Sequence, residues 1–336
     1  MCGCAGWSKV RATTHHLSVR LVTISEIRAA AELVAPAVVR TPLLPCTWAD
    51  YHRPLWLKPE NLQPVGAFKI RGAYHALARL SADVRALGVV AYSSGNHAQA
   101  VAYAAKLFGV PAAIVVPDTT PQVKIDATQA HGAEVHVVPM HERESRAQYL
   151  AHQRGSTLIP PFDHADVIAG QGTVGLEIAE DLPDVETVLV PVSGGGLISG
   201  VAVAIKSLCP DARVIGVEPE LAADAADSLR AGRRTSAWPP DLRARTIADG
   251  LRAEPSELTF AHMRELVDGI VTVSEDEIRS AVTWLAHQSR LIAEPSGATV
   301  VAAYLNRADE LPVGRTVAVV SGGNLDPALL ASLLAV

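Results

Sequence analysis

The chain has 336 residues, 49% hydrophobic and 19% charged, with a formal net charge of -6 at pH 7. That is enough material for one large or two closely connected domains around a substantial core. Acids and bases are interspersed without a basic stripe, which argues against nucleic acid or anionic membrane as a partner, and no apolar run reaches the roughly 20 residues that a bilayer span needs. The four cysteines, Cys2, Cys4, Cys46 and Cys209, are too few and too scattered for a disulfide framework and fit reduced thiols in a cytosol. The opening residues 1–22 lack a continuous apolar stretch and read as a loosely ordered extension, neither secretory signal nor span.

The first stretch that asks for chemistry is VGAFKIRGA, residues 65–73, with Lys69 between Phe68 and Ile70. A lysine among apolar neighbours either lays its stem on them and lets the ammonium reach water, or has its amine pKa depressed and becomes a nucleophile or imine former. From Gly88 onward, β-branched runs alternate with amphipathic segments, as in a parallel sheet covered by helices. The expected strands are 89–93, 112–116, 133–138, 186–192, 212–217 and 316–320. Between them QAVAYAAKLFG, VKIDATQAHG, ESRAQYLAHQRG and GLISGVAVAIKSL carry helical periodicity, several closing on glycine. The fold class is α/β. Residues 88–162 are expected to form a small domain around the strands at 89–138, with 1–87 and 163–336 as a large one and a ligand cleft between them.

Three expected strands end in glycine-rich turns: SSGNH (93–97), SGGGL (193–197) and SGGN (321–324). The turn from Ser193 to Leu197 opens a helix, where backbone N–H groups make a site for phosphate. A dinucleotide site competes, because Gly194, Gly196 and Gly200 are followed about 20 residues later by Glu218 at a strand end. That alternative leaves Lys69, SSGNH and SGGN without a role, and no lysine and Ser/Thr pair follows the glycines as a P-loop would require. An amine, a phosphate cradle, an amide (Asn96) and a hydroxyl (Ser321) together match the needs of pyridoxal 5'-phosphate. Phe68 is placed to offer that cofactor an apolar face.

On these residues the chain resembles the threonine/serine dehydratase and serine racemase family, the fold type II pyridoxal-phosphate enzymes. FKIRGA, SSGNHAQA, GQGT, SGGGL, TIADGL and SGGN occur in the family's order, from TPLLP at 41–45 to SGGN. The resemblance implies a large parallel-sheet domain with a smaller three-layer α/β domain. It implies that Lys69 forms the imine, that Asn96 meets the ring hydroxyl, and that Ser193, Gly194, Gly195, Gly196 and Leu197 hold the phosphate. Ser321 would meet the ring nitrogen. Ser93, Ser94, His97 and Arg146 would meet the substrate, with Ser94 facing its α-carbon opposite Lys69; the other reading of Ser94 is a helix cap. In GVEPELAAD, Glu218, the carbonyl of Ala222 and Asp224 match a Mg²⁺ or Ca²⁺ site of the metal-activated members.

The implied activity is ammonia release from L-serine, L-threonine or threo-3-hydroxyaspartate by a cytosolic homodimer. Serine racemase is the alternative reaction, and a non-catalytic nucleotide-binding regulatory protein the alternative of another class. Ala67 and Val65 stand where the family often carries polar residues, and Ala253 where the racemases carry a serine, which argues against nucleotide activation of the animal racemase type and against efficient racemisation. Asp249 reads as a turn cap, and Arg252 as either a surface charge or a contact for the second carboxylate of hydroxyaspartate.

Overall fold

The computed structural model describes residues 19–93, 95–235 and 238–335, so Ser94 and the N-terminal extension up to residue 18 lie outside the described residues. In chain order the strands are β1 (Leu44–Pro45), β2 (Leu55–Pro59), β3 (Val89–Tyr92), β4 (Ala112–Pro117), β5 (Glu134–Val138), β6 (Thr157–Leu158), β7 (Thr187–Pro191), β8 (Arg213–Pro219), β9 (Gly269–Val273) and β10 (Thr316–Val320). They build two sheets, one ordered β1-β2-β10-β7-β8-β9 and one ordered β5-β4-β3-β6. Every pairing is parallel except β1 with β2. Parallel neighbours need crossovers, and the helices that supply them cover both faces, so β4, β7 and β10 are buried along their whole length.

The six strands read from β-branched runs all form, and β1, β2, β6 and β9 join them. The second sheet therefore has four strands, because Thr157 and Leu158 add a short edge beside β3. Strand β2 is poorly legible in LWLKP because a lysine and a proline interrupt it. Lys58 is nonetheless fully buried, its Nζ donating to Glu177 at 2.6 Å and to the carbonyl of Thr41. Arg71, also fully buried, pairs with Glu60 at 2.7 Å and with Glu177 at 2.6 Å. Two cations and two carboxylates thus cancel inside the core; deleting one partner would strand a charge at a cost of about 3 to 5 kcal/mol. The cluster ties β2 to the helix Lys69–Arg79 and fixes where that helix begins.

The helix Ala165–Asp181 is buried from Val167 through Ala179 and runs against the helix Gly196–Leu208. A Cβ at Gly200 would overlap the carbonyl of Ile168 and the backbone nitrogen of Gly172. Gly200 therefore serves the close approach of two helices. Gln171, in GQGT, accepts from the backbone N–H of Gly72 at 3.1 Å and so braces the lysine-bearing helix. Among the described residues no helix is long and apolar enough to cross a membrane.

Candidate active site

Lys69 is the first residue of its helix, and the segment before it is laced to the SGGN turn. Ala67 bridges Gly322, Phe68 N donates to the carbonyl of Ser321 at 3.0 Å, and Gly323 N donates to Gly66 at 2.9 Å. Two motifs about 250 residues apart in sequence thereby share one short ribbon. Lys69 Nζ donates to the carbonyl of Pro161 at 2.9 Å and lies 5.1 Å from the centroid of the Phe68 ring. The side chain keeps some exposure to the cleft, but burial around the amine pushes it down to about 8. A substantial fraction of neutral amine near physiological pH is what an imine former needs.

The second glycine turn follows β7. Gly195, with φ at +88°, caps the helix Gly196–Leu208, and its left-handed backbone favours glycine. A Cβ at Gly194 would overlap the ring of Phe162, and one at Gly196 would stand 2.9 Å from Phe162 Cβ. The glycines therefore leave room for a roof of Pro161 and Phe162, a segment the motifs did not single out. Ser193 Oγ accepts from Ala253 N at 3.0 Å, joining the cradle to the residues after TIADGL.

Asn96 opens the helix Asn96–Phe108 after β3. Its Nδ2 donates to Glu294 at 2.6 Å, while its Oδ1 accepts from Asn324 at 2.8 Å. Glu294 is buried, and burial followed by the nearby charge of Asp249 raises it to about 8. Sequence reasoning missed Glu294, although a glutamate directly before Pro-Ser-Gly at the start of an apolar helix is a recognisable signal. Ser321 is buried at the end of β10, and its hydroxyl has no hydrogen-bond partner among the described residues, leaving it available to a ring nitrogen.

The substrate candidates are dispersed. Ser93 Oγ accepts from Gly95 N at 3.2 Å in the turn. His97 is buried beneath the cleft with one ring nitrogen 2.9 Å from the Ile159 carbonyl, and burial followed by the charge of Lys69 pushes it down to about 3. It is a neutral residue of the fold in this arrangement, not one presented to a substrate. The Arg146 guanidinium lies 5.3 Å from the Tyr149 ring on its own helix. Lys124 pairs with Asp249 at 2.6 Å across the gap between the two sheets, beside a cavity of about 250 Å³ that Arg252 and Glu294 also line. Asp249 is thus an ion-pair partner as well as part of a turn.

Glu218, on β8, accepts from the backbone N–H groups of Ala225 and Ala226 at 3.1 and 2.8 Å, and the helix Asp224–Ala231 begins beside it. Asp224 is buried, and its Oδ2 has no partner. Burial and the charge of Asp224 hold the Glu218 carboxyl well above the usual carboxylate range, while burial raises Asp224 to about 7. Among the described residues no group of three or more His, Cys, Asp or Glu side chains gathers at one point. What gathers here is the pair Glu218 and Asp224, with one buried oxygen of Asp224 left without a partner.

Residues 34–322 match the family model for pyridoxal-phosphate dependent enzymes. The chain belongs to that family. Within it the similarity is to the threonine ammonia-lyase and serine racemase group. L-threonine ammonia-lyase of Thermotoga maritima is 46% identical over 91% of this chain and 76% of its own length. L-threo-3-hydroxyaspartate ammonia-lyase of Saccharomyces cerevisiae is 41% identical over 93% and 96%. The structure of maize serine racemase superposes with a TM-score of 0.87 at 38% identity, covering 93% of this chain and 98% of that one.

Proposed function

We propose that this pyridoxal-phosphate enzyme is an ammonia-lyase that converts L-serine, L-threonine or threo-3-hydroxyaspartate to the 2-oxo acid and ammonia. The observation that carries the reading is the buried amine of Lys69, depressed to about 8 and fastened to the SGGN turn. When bound, pyridoxal phosphate supplies an electron-accepting ring that stabilises negative charge at the substrate α-carbon. The residues suited to hold it are Phe68, Lys69 and Asn96, the turn from Ser193 to Leu197, and Ser321. The N–H groups of Gly194 to Leu197 and the helix end behind them suit its phosphate. Lys69 would hold the cofactor and, as a free amine, would take the substrate's α-proton, with the Pro161 carbonyl orienting it. Ser321 offers an uncharged partner, so the ring nitrogen is not forced into its protonated form; that favours prompt loss of a β-hydroxyl over transamination.

In the cavity beside Glu294, Lys124 pairs with Asp249, while Arg252 donates one N–H to the carbonyl of Thr246 at 2.6 Å and keeps its charge and its other N–H groups. Oxo-acid formation measured across L-serine, L-threonine and threo-3-hydroxyaspartate tests the proposed activity, and no oxo acid from any of the three would refute it. The similarity to serine racemases supports a second reading in which Ser94 works on the face opposite Lys69. Ser94→Ala should then abolish racemisation and D-serine elimination while L-serine elimination survives. Parallel loss of both activities with an unchanged cofactor spectrum would show that Ser94 holds substrate instead.

The proposal extends to Mg²⁺ or Ca²⁺ at Glu218, Asp224 and the Ala222 carbonyl, supported by the unpartnered buried oxygen of Asp224. Binding to the folded state alone stabilises it, by about 2.7 kcal/mol at a hundredfold excess over Kd. A chelator should lower both Tm and activity, either ion should restore them, and Asp224→Ala should respond to neither treatment. Full activity and an unchanged Tm after thorough chelation would make the loop a plain acidic turn. The two described cysteines, Cys46 and Cys209, are unpaired, in keeping with a cytosolic setting. The homodimer rests on the family resemblance.

A further inference from the structure

Three loops meet at the Asn96 side chain, and their hydrogen bonds determine which way its amide faces. The carbonyl of Val65 can only accept, so the group 2.8 Å away on Asn324 must be its NH₂. That same NH₂ donates its other proton to the Asn96 oxygen at 2.8 Å. The Asn96 NH₂ then faces Glu294 Oε1 at 2.6 Å and keeps one N–H in reserve. Space is committed to this arrangement: a Cβ at Gly322 would overlap Glu294 Oε1, and one at Gly66 would overlap the Asn324 oxygen. The chain of bonds also crosses the molecule, since Asn96 follows β3 of the second sheet whereas Asn324 and Glu294 flank the end of β10 in the first.

We propose that Glu294 and Asn324 are positioning residues that lock the Asn96 amide with its spare N–H directed to the cofactor's ring hydroxyl. A flipped amide would present its carbonyl oxygen there and demand a proton from that hydroxyl; the locked one donates, and so favours the hydroxyl in its ionised form. The proposal rests on the assignment of Asn96 to the ring hydroxyl, made above.

The test uses the holoenzyme and reads the visible absorbance of bound pyridoxal phosphate together with its Kd from dilution. Asn96→Ala and Glu294→Ala should each move the absorbance toward the near ultraviolet and raise Kd about tenfold, the loss of one such hydrogen bond. The double variant should do no more than either single one. Glu294→Gln, which still offers an oxygen to the amide, should return most of the wild-type spectrum. Asn324→Asp, which keeps the volume but loses the donor, should reproduce the shift and decides the matter if Glu294→Ala does not fold. A wild-type spectrum and Kd in Glu294→Ala and Asn324→Asp, or additive effects in the double variant, would overturn the proposal while leaving Asn96 at the cofactor. A silent Asn96→Ala would overturn both.

Discussion

Lys69→Ala is expected to abolish turnover while leaving the fold in place. In the proposed function the amine has two tasks, holding the cofactor covalently and moving the α-proton, and general acid–base catalysis alone is worth about a hundredfold to ten-thousandfold. The backbone around it does not depend on the side chain: the Ala67 to Gly322 bridge, the bond from Phe68 to Ser321 and the Arg71 charge cluster all remain. In cofactor-free protein, removing an ammonium that burial disfavours should leave Tm unchanged or slightly higher. Substantial ammonia release by the purified variant, with no amine added, would refute the role of Lys69.

Gly194→Ala is expected to have the second largest effect, acting through cofactor affinity. The added methyl would overlap the Phe162 ring, so either that ring or the turn must shift, at a cost of about 1 to 3 kcal/mol. Phe162 adjoins Pro161, whose carbonyl holds Lys69, so the displacement reaches the amine as well as the phosphate cradle. The Kd for pyridoxal phosphate should rise by at least about tenfold. Gly232→Ala makes a suitable control. Its φ of +65° strains any added Cβ although the space around it is open, whereas Gly194 has no positive φ and is limited by the Phe162 ring alone; Gly232→Ala should therefore lower Tm without weakening the cofactor. Equal cofactor binding in the Gly194 variant and the wild type would mean that the turn does not grip the phosphate.

Elements whose burial is uniform were legible in the sequence. β10 and the helix Gly196–Leu208 form with the bounds that TVAVV and GLISGVAVAIKSL suggest, because strand and helix there bury apolar residues along their length. β2 was missed because its lysine is neutralised by Glu177, more than a hundred residues away in sequence, a compensation no local pattern shows. The same reason hid much of the site. Lys69, Asn96 and Ser321 carry chemistry in their own side chains and can be read directly, whereas Pro161 acts through a backbone carbonyl and Glu294 through Asn96. Gly200 shows the opposite limit: the sequence offers it only as part of a glycine spacing, and its role in letting two helices approach is visible only from its neighbours.

The most direct measurement is borohydride reduction of the purified holoenzyme followed by peptide mapping of the pyridoxyl group among the six lysines, Lys9, Lys58, Lys69, Lys106, Lys124 and Lys206. The account predicts loss of the visible absorbance and a single label on Lys69. A label on another lysine, or none despite bound cofactor, would contradict it.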